Sequence, residues 1–340
     1  MKIVIDVYGG DYSPDEIVKG AITSLNMIDD LELILTGDKA GIEKVLNEYG
    51  YSGERLEIVD APEVISCNES PTMAIRRKTN SSLVAALDVV KNREDVIGMI
   101  SAGSTGAVLA GGLFVVGRLP GVKRPALSPF LPTVTGGKTL LIDCGANVDC
   151  KPEYLEQFAI MGSIYVKALL GIENPKVALI SNGVEDAKGN EQVHQTFELL
   201  KNNKEINFVG NMEAREMLSG KYDVLVCDGF TGNVAMKSAE GTIKAFTTIL
   251  KDNIKKGGLG TKLGAVMMKK VFKNLKQQLN YTDVGGSPFL GLNKILIKSH
   301  GSSKANTIYS CVLQVIDIHK SNYIEKMKEG ILSSSIAGEK

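Results

Sequence analysis

Six polar turns built around glycine hold the side chains in this sequence best suited to chemistry. They read Tyr8-Gly9-Gly10-Asp11, Ser101-Ala102-Gly103-Ser104-Thr105-Gly106, Asp143-Cys144-Gly145-Ala146-Asn147, Ser181-Asn182-Gly183-Val184-Glu185-Asp186, Asp228-Gly229-Phe230-Thr231-Gly232-Asn233 and Ser299-His300-Gly301-Ser302-Ser303. Glycine lets backbone N–H groups approach an anion closely, and a helix starting just afterwards adds its positive dipole end. One such turn means little, because every α/β protein needs them. Six, nearly all carrying Asp, Asn, Ser or Thr, point to an anion site.

The elements that must position these turns are legible in front of them. Each follows a short apolar run: Lys2-Ile3-Val4-Ile5, Val96 to Ile100, Thr139 to Ile142, Val177 to Ile180, Val224 to Cys227 and Ile295 to Ile297. Apolar runs without alternation are what strands covered on both faces look like. Helical stretches between them imply right-handed crossovers and a mostly parallel sheet. Parallel strands end on one edge, where ligands bind. The expectation is one large α/β domain over residues 1–340, with two subdomains around a cleft as the other arrangement, and six turns meeting at one rim.

Composition removes several function classes. The 340 residues carry 39 basic and 39 acidic side chains, so the net charge is zero. That excludes a general nucleic-acid binder, whose affinity rests on neutralising phosphates. Five scattered cysteines without a C-x-x-C pair read as reduced cytosolic thiols rather than a metal or disulfide framework. The chain enters an apolar run straight after Met1-Lys2, without the longer stretch of a signal peptide, and reads as soluble and cytoplasmic. Val96 to Gly117 lacks charge, yet its glycines and hydroxyls fit a strand, a turn and a buried helix better than a bilayer span. Gly136-Gly137-Lys138-Thr139 precedes a strand, so it is no P-loop. Neither a G-x-S-x-G elbow nor an H-E-x-x-H pair occurs. His194 and His319 fall on polar helical stretches, whereas His300 sits in a turn at the functional edge.

Two basic segments stand apart. Arg76, Arg77 and Lys78 are read as opening a helix that continues through Leu83 to Val90. Cations there oppose the helix dipole, which a bound anion would explain and a solvated basic face would not require. Asn253 to Thr282 carries seven lysines and no acid, with apolar residues at Leu263, Met267, Val271, Leu275 and Leu279. That is a basic amphipathic helical excursion over 253–282, either packed on the core, at a dimer contact, or docked on an anionic membrane or acidic protein.

Taken together, the turns resemble those of the bacterial phosphate acyltransferase family, acyl-(acyl-carrier-protein):phosphate acyltransferases that begin phosphatidic acid synthesis. The motifs carrying the resemblance are Gly9-Gly10-Asp11 with Pro14, Ser101-Ala102-Gly103 with Thr105-Gly106-Ala107, Asp143 with Gly145-Ala146-Asn147, and Val209-Gly210-Asn211 with Glu213-Ala214-Arg215. Asp228 through Asn233, Gly285-Gly286 through Leu290-Gly291, and Ser299 through Ser303 complete them. Tyr8, Ser104, Val284 and Asn182-Gly183-Val184-Glu185 depart from the family's usual residues.

The resemblance implies the fold of phosphate acetyl- and butyryltransferases and isocitrate-type dehydrogenases, α/β with a mostly parallel sheet and helices on both faces. It implies acyl transfer from an acyl-carrier-protein thioester to inorganic phosphate, with no cofactor and no metal. A homodimer is implied too, with peripheral contact at the inner face of the membrane and product passed to a glycerol-3-phosphate acyltransferase. On that reading Ser101, Ser104, Thr105 and Gly106 cradle phosphate, with Arg76 or Lys78 neutralising it. Asn233 and His300 donate to the thioester oxygen or leaving sulfur, and Asp11, Asp143 and Asp228 orient donors or manage protons. Gly9, Gly10, Asn147, Gly285, Gly286, Ser302 and Ser303 complete the cleft. Lys262, Leu263, Met267, Lys269, Lys270 and Lys273 face the carrier protein or membrane. A short-chain acyl-coenzyme A phosphotransacylase and a non-catalytic anion-binding scaffold remain open alternatives.

Overall fold

The computed structural model describes residues 1–279 and 285–334, so Val284 and the last residues of the 253–282 segment lie outside the described residues. The strands, in chain order, are β1 (Lys2–Asp6), β2 (Glu32–Gly37), β3 (Leu56–Asp60), β4 (Val96–Ser101), β5 (Ala126–Leu127), β6 (Phe130–Pro132), β7 (Lys138–Ile142), β8 (Lys176–Ser181), β9 (Asn207–Glu213), β10 (Val224–Val226), β11 (Ser287–Leu290) and β12 (Ile295–Lys298). The helices are α1 (Asp15–Met27), α2 (Lys39–Glu48), α3 (Pro71–Arg77), α4 (Ser82–Asn92), α5 (Thr105–Gly111), α6 (Pro152–Leu170), α7 (Glu191–Asn202), α8 (Gly229–Lys256), α9 (Leu259–Met267), α10 (Lys269–Leu279), α11 (Ala305–Lys320) and α12 (Tyr323–Ser333). A π-helical turn, Gly112–Val116, extends α5.

The strands divide between two sheets, in the orders β3-β2-β1-β4-β12-β11-β5 and β6-β7-β10-β8-β9. Among the described residues β11 runs antiparallel to both β12 and β5, and β6 to β7, while the other pairings are parallel. Helices cover both faces, as the alternation in each strand requires. Ile3 and Ile5 of β1 join Ile17 of α1 and Ile308 of α11, while Val4 between them joins Leu83 and Leu87 of α4. In the second sheet Leu140 and Ile142 of β7 meet Phe158 and Tyr165 of α6, and Leu141 turns to Ala178 and Leu225. One apolar cluster therefore continues from the first sheet to the second. All six apolar runs are strands, and Val96 to Gly117 folds as β4, a turn and a mostly buried helix.

Both basic segments depart from the sequence reading. Arg76 and Arg77 close the short helix α3 rather than open a helix, and α4 begins separately at Ser82 behind the Ser81 cap. Cations in a last turn favour the dipole, so no bound anion is needed to explain them. The lysine-rich stretch is the end of α8, then α9 and α10, separated at Gly257-Gly258 and at Met268. It is not packed on the core. Leu259, Leu263, Val266 and Met267 are all exposed, Met267 at 81%.

Candidate active site

The register of the parallel strands builds the site. Asp6, Ser101 and Lys298 lie abreast at the ends of β1, β4 and β12. The turns after these strands open into a hollow of about 520 Å³ between the two sheets. Five of the six polar turns border it or hold its walls; the Ser181-to-Asp186 turn does not reach it. Of the candidate residues, Gly9, Asp11, Ser104, Thr105, Gly106, Asn233, Gly285, Gly286 and His300 line it.

The remaining expected residues stand behind this lining or away from it. Ser101 is buried, donates to Asp6 Oδ2 at 2.6 Å and accepts from Gly103 N–H at 3.0 Å, so it shapes the turn rather than facing a ligand. Gly10 is held by its N–H on Ser13 Oγ. Asp143 is fully buried and accepts from the N–H groups of Leu127, Cys144, Ala146 and Asn147 and from Asn147 Nδ2. Burial pushes its carboxyl above the ordinary value and these donors pull the other way. Asn147 is spent on Asp143 and the Pro125 carbonyl. Asp228 caps α8, taking the Thr231 N–H and hydroxyl at 2.7 and 3.0 Å. Ser303 pairs with Ser299, and Ser302 supports His300. Arg76 stacks over Phe114, and Lys78 is engaged by Glu69 at 2.8 Å and the Val64 carbonyl, so neither reaches the hollow.

The lysines that do line the hollow are Lys298 and Lys237. The Lys298 ammonium, almost buried, donates to the carbonyls of Ala102 and Ser299 and lines the hollow. Burial lowers its pKa to about 8, with Asp6 and Asp11 among the charges that oppose the fall. Lys237 pairs with Glu240 at 2.9 Å, and its ammonium also stands 3.4 Å from His300 Nε2. The Ser302 N–H, 3.2 Å from Nδ1, can only donate. The Lys237 ammonium facing Nε2 can likewise only donate, so a neutral ring can accept at one of its two nitrogens and not at both. Burial, with Lys237 nearby, lowers the His300 pKa and keeps the ring neutral near pH 7. At the next turn Ser104 caps α5, and helix geometry leaves the Thr105 and Gly106 N–H groups without intrahelical partners. Gly9 allows the close packing here, since a Cβ on it would lie 2.5 Å from Gly103 N. Cys144 lines the hollow, but burial pushes its thiol up to about 12, so it is no thiolate nucleophile.

With this geometry in hand, comparison with known proteins is decisive. The family model "Fatty acid synthesis protein" matches residues 1–326. A phosphate acyltransferase of Clostridium tetani is 45% identical, over 98% of each chain. One from Halothermothrix orenii is 46% identical, over 97% of this chain and 98% of its own. The chain belongs to the phosphate acyltransferase family. Its members are transferases. Among solved structures, a phosphotransacetylase from Streptococcus pyogenes shares the fold, with a TM-score of 0.60 at 19% identity over 96% of this chain and 94% of that one.

For a phosphate acyltransferase, the other wall of the hollow matters as much as the polar rim. Leu131, Met217, Leu218, Met236 and Ile243 give it an apolar side, and none was singled out in the sequence. Leu131 comes from the edge strand β6, Met217 and Leu218 from the stretch after β9, and the others from α8. Lys298 was also missed. Its signal was there: a lysine at the end of the buried run Ile295-Leu296-Ile297, directly before the His300 turn.

Proposed function

We propose that this family member moves a fatty acyl group from the thioester of acyl carrier protein to inorganic phosphate, giving acyl phosphate and free carrier thiol. The observation carrying the reading is that anion donors and an apolar wall share one hollow. Phosphate is already an anionic nucleophile at neutral pH, so the enzyme need not activate a serine or cysteine. The Thr105 and Gly106 N–H groups and the Lys298 ammonium hold it. A phosphate oxygen attacks the thioester carbon; the carbonyl oxygen becomes an oxyanion, which the Asn233 amide and the His300 ring stabilise. Collapse breaks the C–S bond, and the thiolate leaves to take its proton from solvent or Lys237. Proximity supplies on the order of 7–11 kcal/mol, and each preorganised donor about 3–4 kcal/mol. Incubating the protein with acyl-carrier thioester and phosphate, then trapping with hydroxylamine, should yield acyl hydroxamate in proportion to phosphate. A trace no higher than without protein sinks this reading. Turnover with acyl-coenzyme A but not with the carrier thioester would favour the phosphotransacylase alternative, which the shared fold supports.

The same reading places the protein in the cytoplasm, with the tip of α9 and α10 on the anionic inner face of the membrane. Exposed Leu263 and Met267 beside Lys262, Lys269, Lys270 and Lys273 support it. No helix among the described residues is long and apolar enough to cross a membrane. A homodimer and hand-over to a glycerol-3-phosphate acyltransferase complete it, both implied by the family resemblance. Lys269→Glu, Lys270→Glu and Lys273→Glu together are expected to abolish sedimentation with anionic liposomes and leave hydroxamate formation intact. Lost turnover with binding preserved would assign the tip to the carrier protein instead.

A further inference from the structure

Asp6 ends β1, abreast of Ser101 and Lys298, and is 1% exposed. It stands one layer behind the hollow with Gly9 in front of it: a Cβ on Gly9 would lie 2.7 Å from Asp6 Oδ2. The Ser101 hydroxyl has a single hydrogen. The Gly103 N–H can only donate to Ser101 Oγ, so that hydrogen goes to Asp6 Oδ2, 2.6 Å away. This is the length of a bond from a hydroxyl to an ionised carboxylate. Oδ1 is buried too and meets no donor in good hydrogen-bond geometry. Burial pushes the carboxyl above its ordinary value; the Ser101 and Ser82 hydroxyls, the Tyr8 N–H and the Lys298 charge pull it back. The seat of the Lys298 ammonium hangs on the same serine. It donates to the carbonyls of Ala102, which follows Ser101, and of Ser299, whose N–H donates to the Ser101 carbonyl at 2.8 Å.

We infer that Asp6 is a positioning residue for acyl transfer to phosphate: through Ser101 it fixes the turn that seats the Lys298 ammonium, and its charge balances that cation out of water. The inference rests on the phosphate acyltransfer reading and adds a residue to it. Other groups act on the ammonium as well. Cys67 does so from the segment before α3, Cys311 from α11 and Asp11 from the turn after β1, while His300 feels it from the turn after β12. Burial holds the Cys311 thiol up at about 11, so it stays neutral. Asp11 is exposed, which leaves Asp6 as the buried carboxylate of the group.

The test measures phosphate binding and turnover in the whole chain and its variants. Asp6→Asn keeps an acceptor for Ser101 and removes the charge. Losing one opposite charge moves the ammonium's pKa down by about one unit from about 8, so at pH 8 the phosphate KM should rise about fivefold. Its alkaline climb should begin correspondingly earlier, with the KM for the acyl donor near wild type. On the Lys298→Met background the same substitution should leave the phosphate KM within about twofold, since no ammonium remains to support. Inorganic phosphate alone should raise the melting temperature of the wild type more than that of Asp6→Asn. An equal rise of KM on both backgrounds, an unmoved alkaline climb or equal stabilisation by phosphate in folded Asp6→Asn overturns the inference. Should that variant fail to fold, Ser101→Ala, which removes the hydroxyl and keeps the charge, should still raise the phosphate KM; a wild-type value overturns the inference. A wild-type protein that phosphate stabilises but that makes no acyl phosphate ends the acyltransfer reading itself, and the inference with it.

Discussion

Lys298→Met is expected to lower kcat/KM for phosphate by on the order of 10²–10³, the effect of removing one preorganised donor from a desolvated site. The methionine fills the same space without charge. The ammonium lies among the turns after β1, β4 and β12. Its lowered pKa also sets a pH signature. The folded protein holds this proton only up to about pH 8, whereas an unfolded lysine keeps it to about 10.5. Between those values the unfolded chain binds more protons, so the wild type gains stability as pH rises through the window. Below pH 8 the full penalty of burying the charge is present, on the order of 3 kcal/mol at 1.36 kcal/mol per unit. The methionine variant lacks that rise. Denaturant melts from pH 7 to 10.5 should show the difference in unfolding free energy closing in favour of the wild type, and its apparent phosphate KM should climb above pH 8. Parallel stability curves for the two proteins, with an unchanged phosphate constant, would remove Lys298 from the site.

The second large effect is structural and lies one layer behind. Asp143→Asn is expected to cost about 3–5 kcal/mol, the range for breaking a buried charged network, although the side chains are nearly isosteric. Oδ1 accepts from Leu127 and Cys144 N–H, and Oδ2 from Asn147 N–H and Nδ2, so whichever oxygen becomes an NH₂ group confronts two donors. Leu127 and Cys144, which this carboxylate holds, line the hollow, so turnover should fall with stability. A variant that melts within about one degree of wild type, a shift worth well under 1 kcal/mol, would show that the network contributes little.

These two residues mark where the sequence was informative and where it was not. Asp143 was visible as a polar residue ending an apolar run, but not the groups it closes on. Whether a carboxylate faces a ligand or closes on the backbone depends on which N–H groups the fold brings within 3 Å. Asp228 fell the same way, to the first turn of α8, and Ser101 to Asp6. Arg76 and Lys78 failed for another reason: a helix boundary near Ser81 reversed their relation to the dipole, and Glu69 took the charge of Lys78. The lysine-rich segment was read as one amphipathic helix, but periodicity cannot place its breaks at Gly257-Gly258 and Met268 or tell whether anything covers the apolar stripe.

By itself the sequence determined six of the twelve described strands, β1, β4, β7, β8, β10 and β12, and the glycine turns after them that border the hollow. These follow from local causes: unbroken apolar runs must be covered on both faces, and tight turns near an anion admit only glycine. Tertiary structure alone decided that the strands split between two sheets, that β5 and β6 lead from one to the other, and that Lys298 and the apolar residues of β6 and α8 face the same space. Such pairings join residues more than fifty positions apart, and only the packing of one sheet's edge against the other's brings them together.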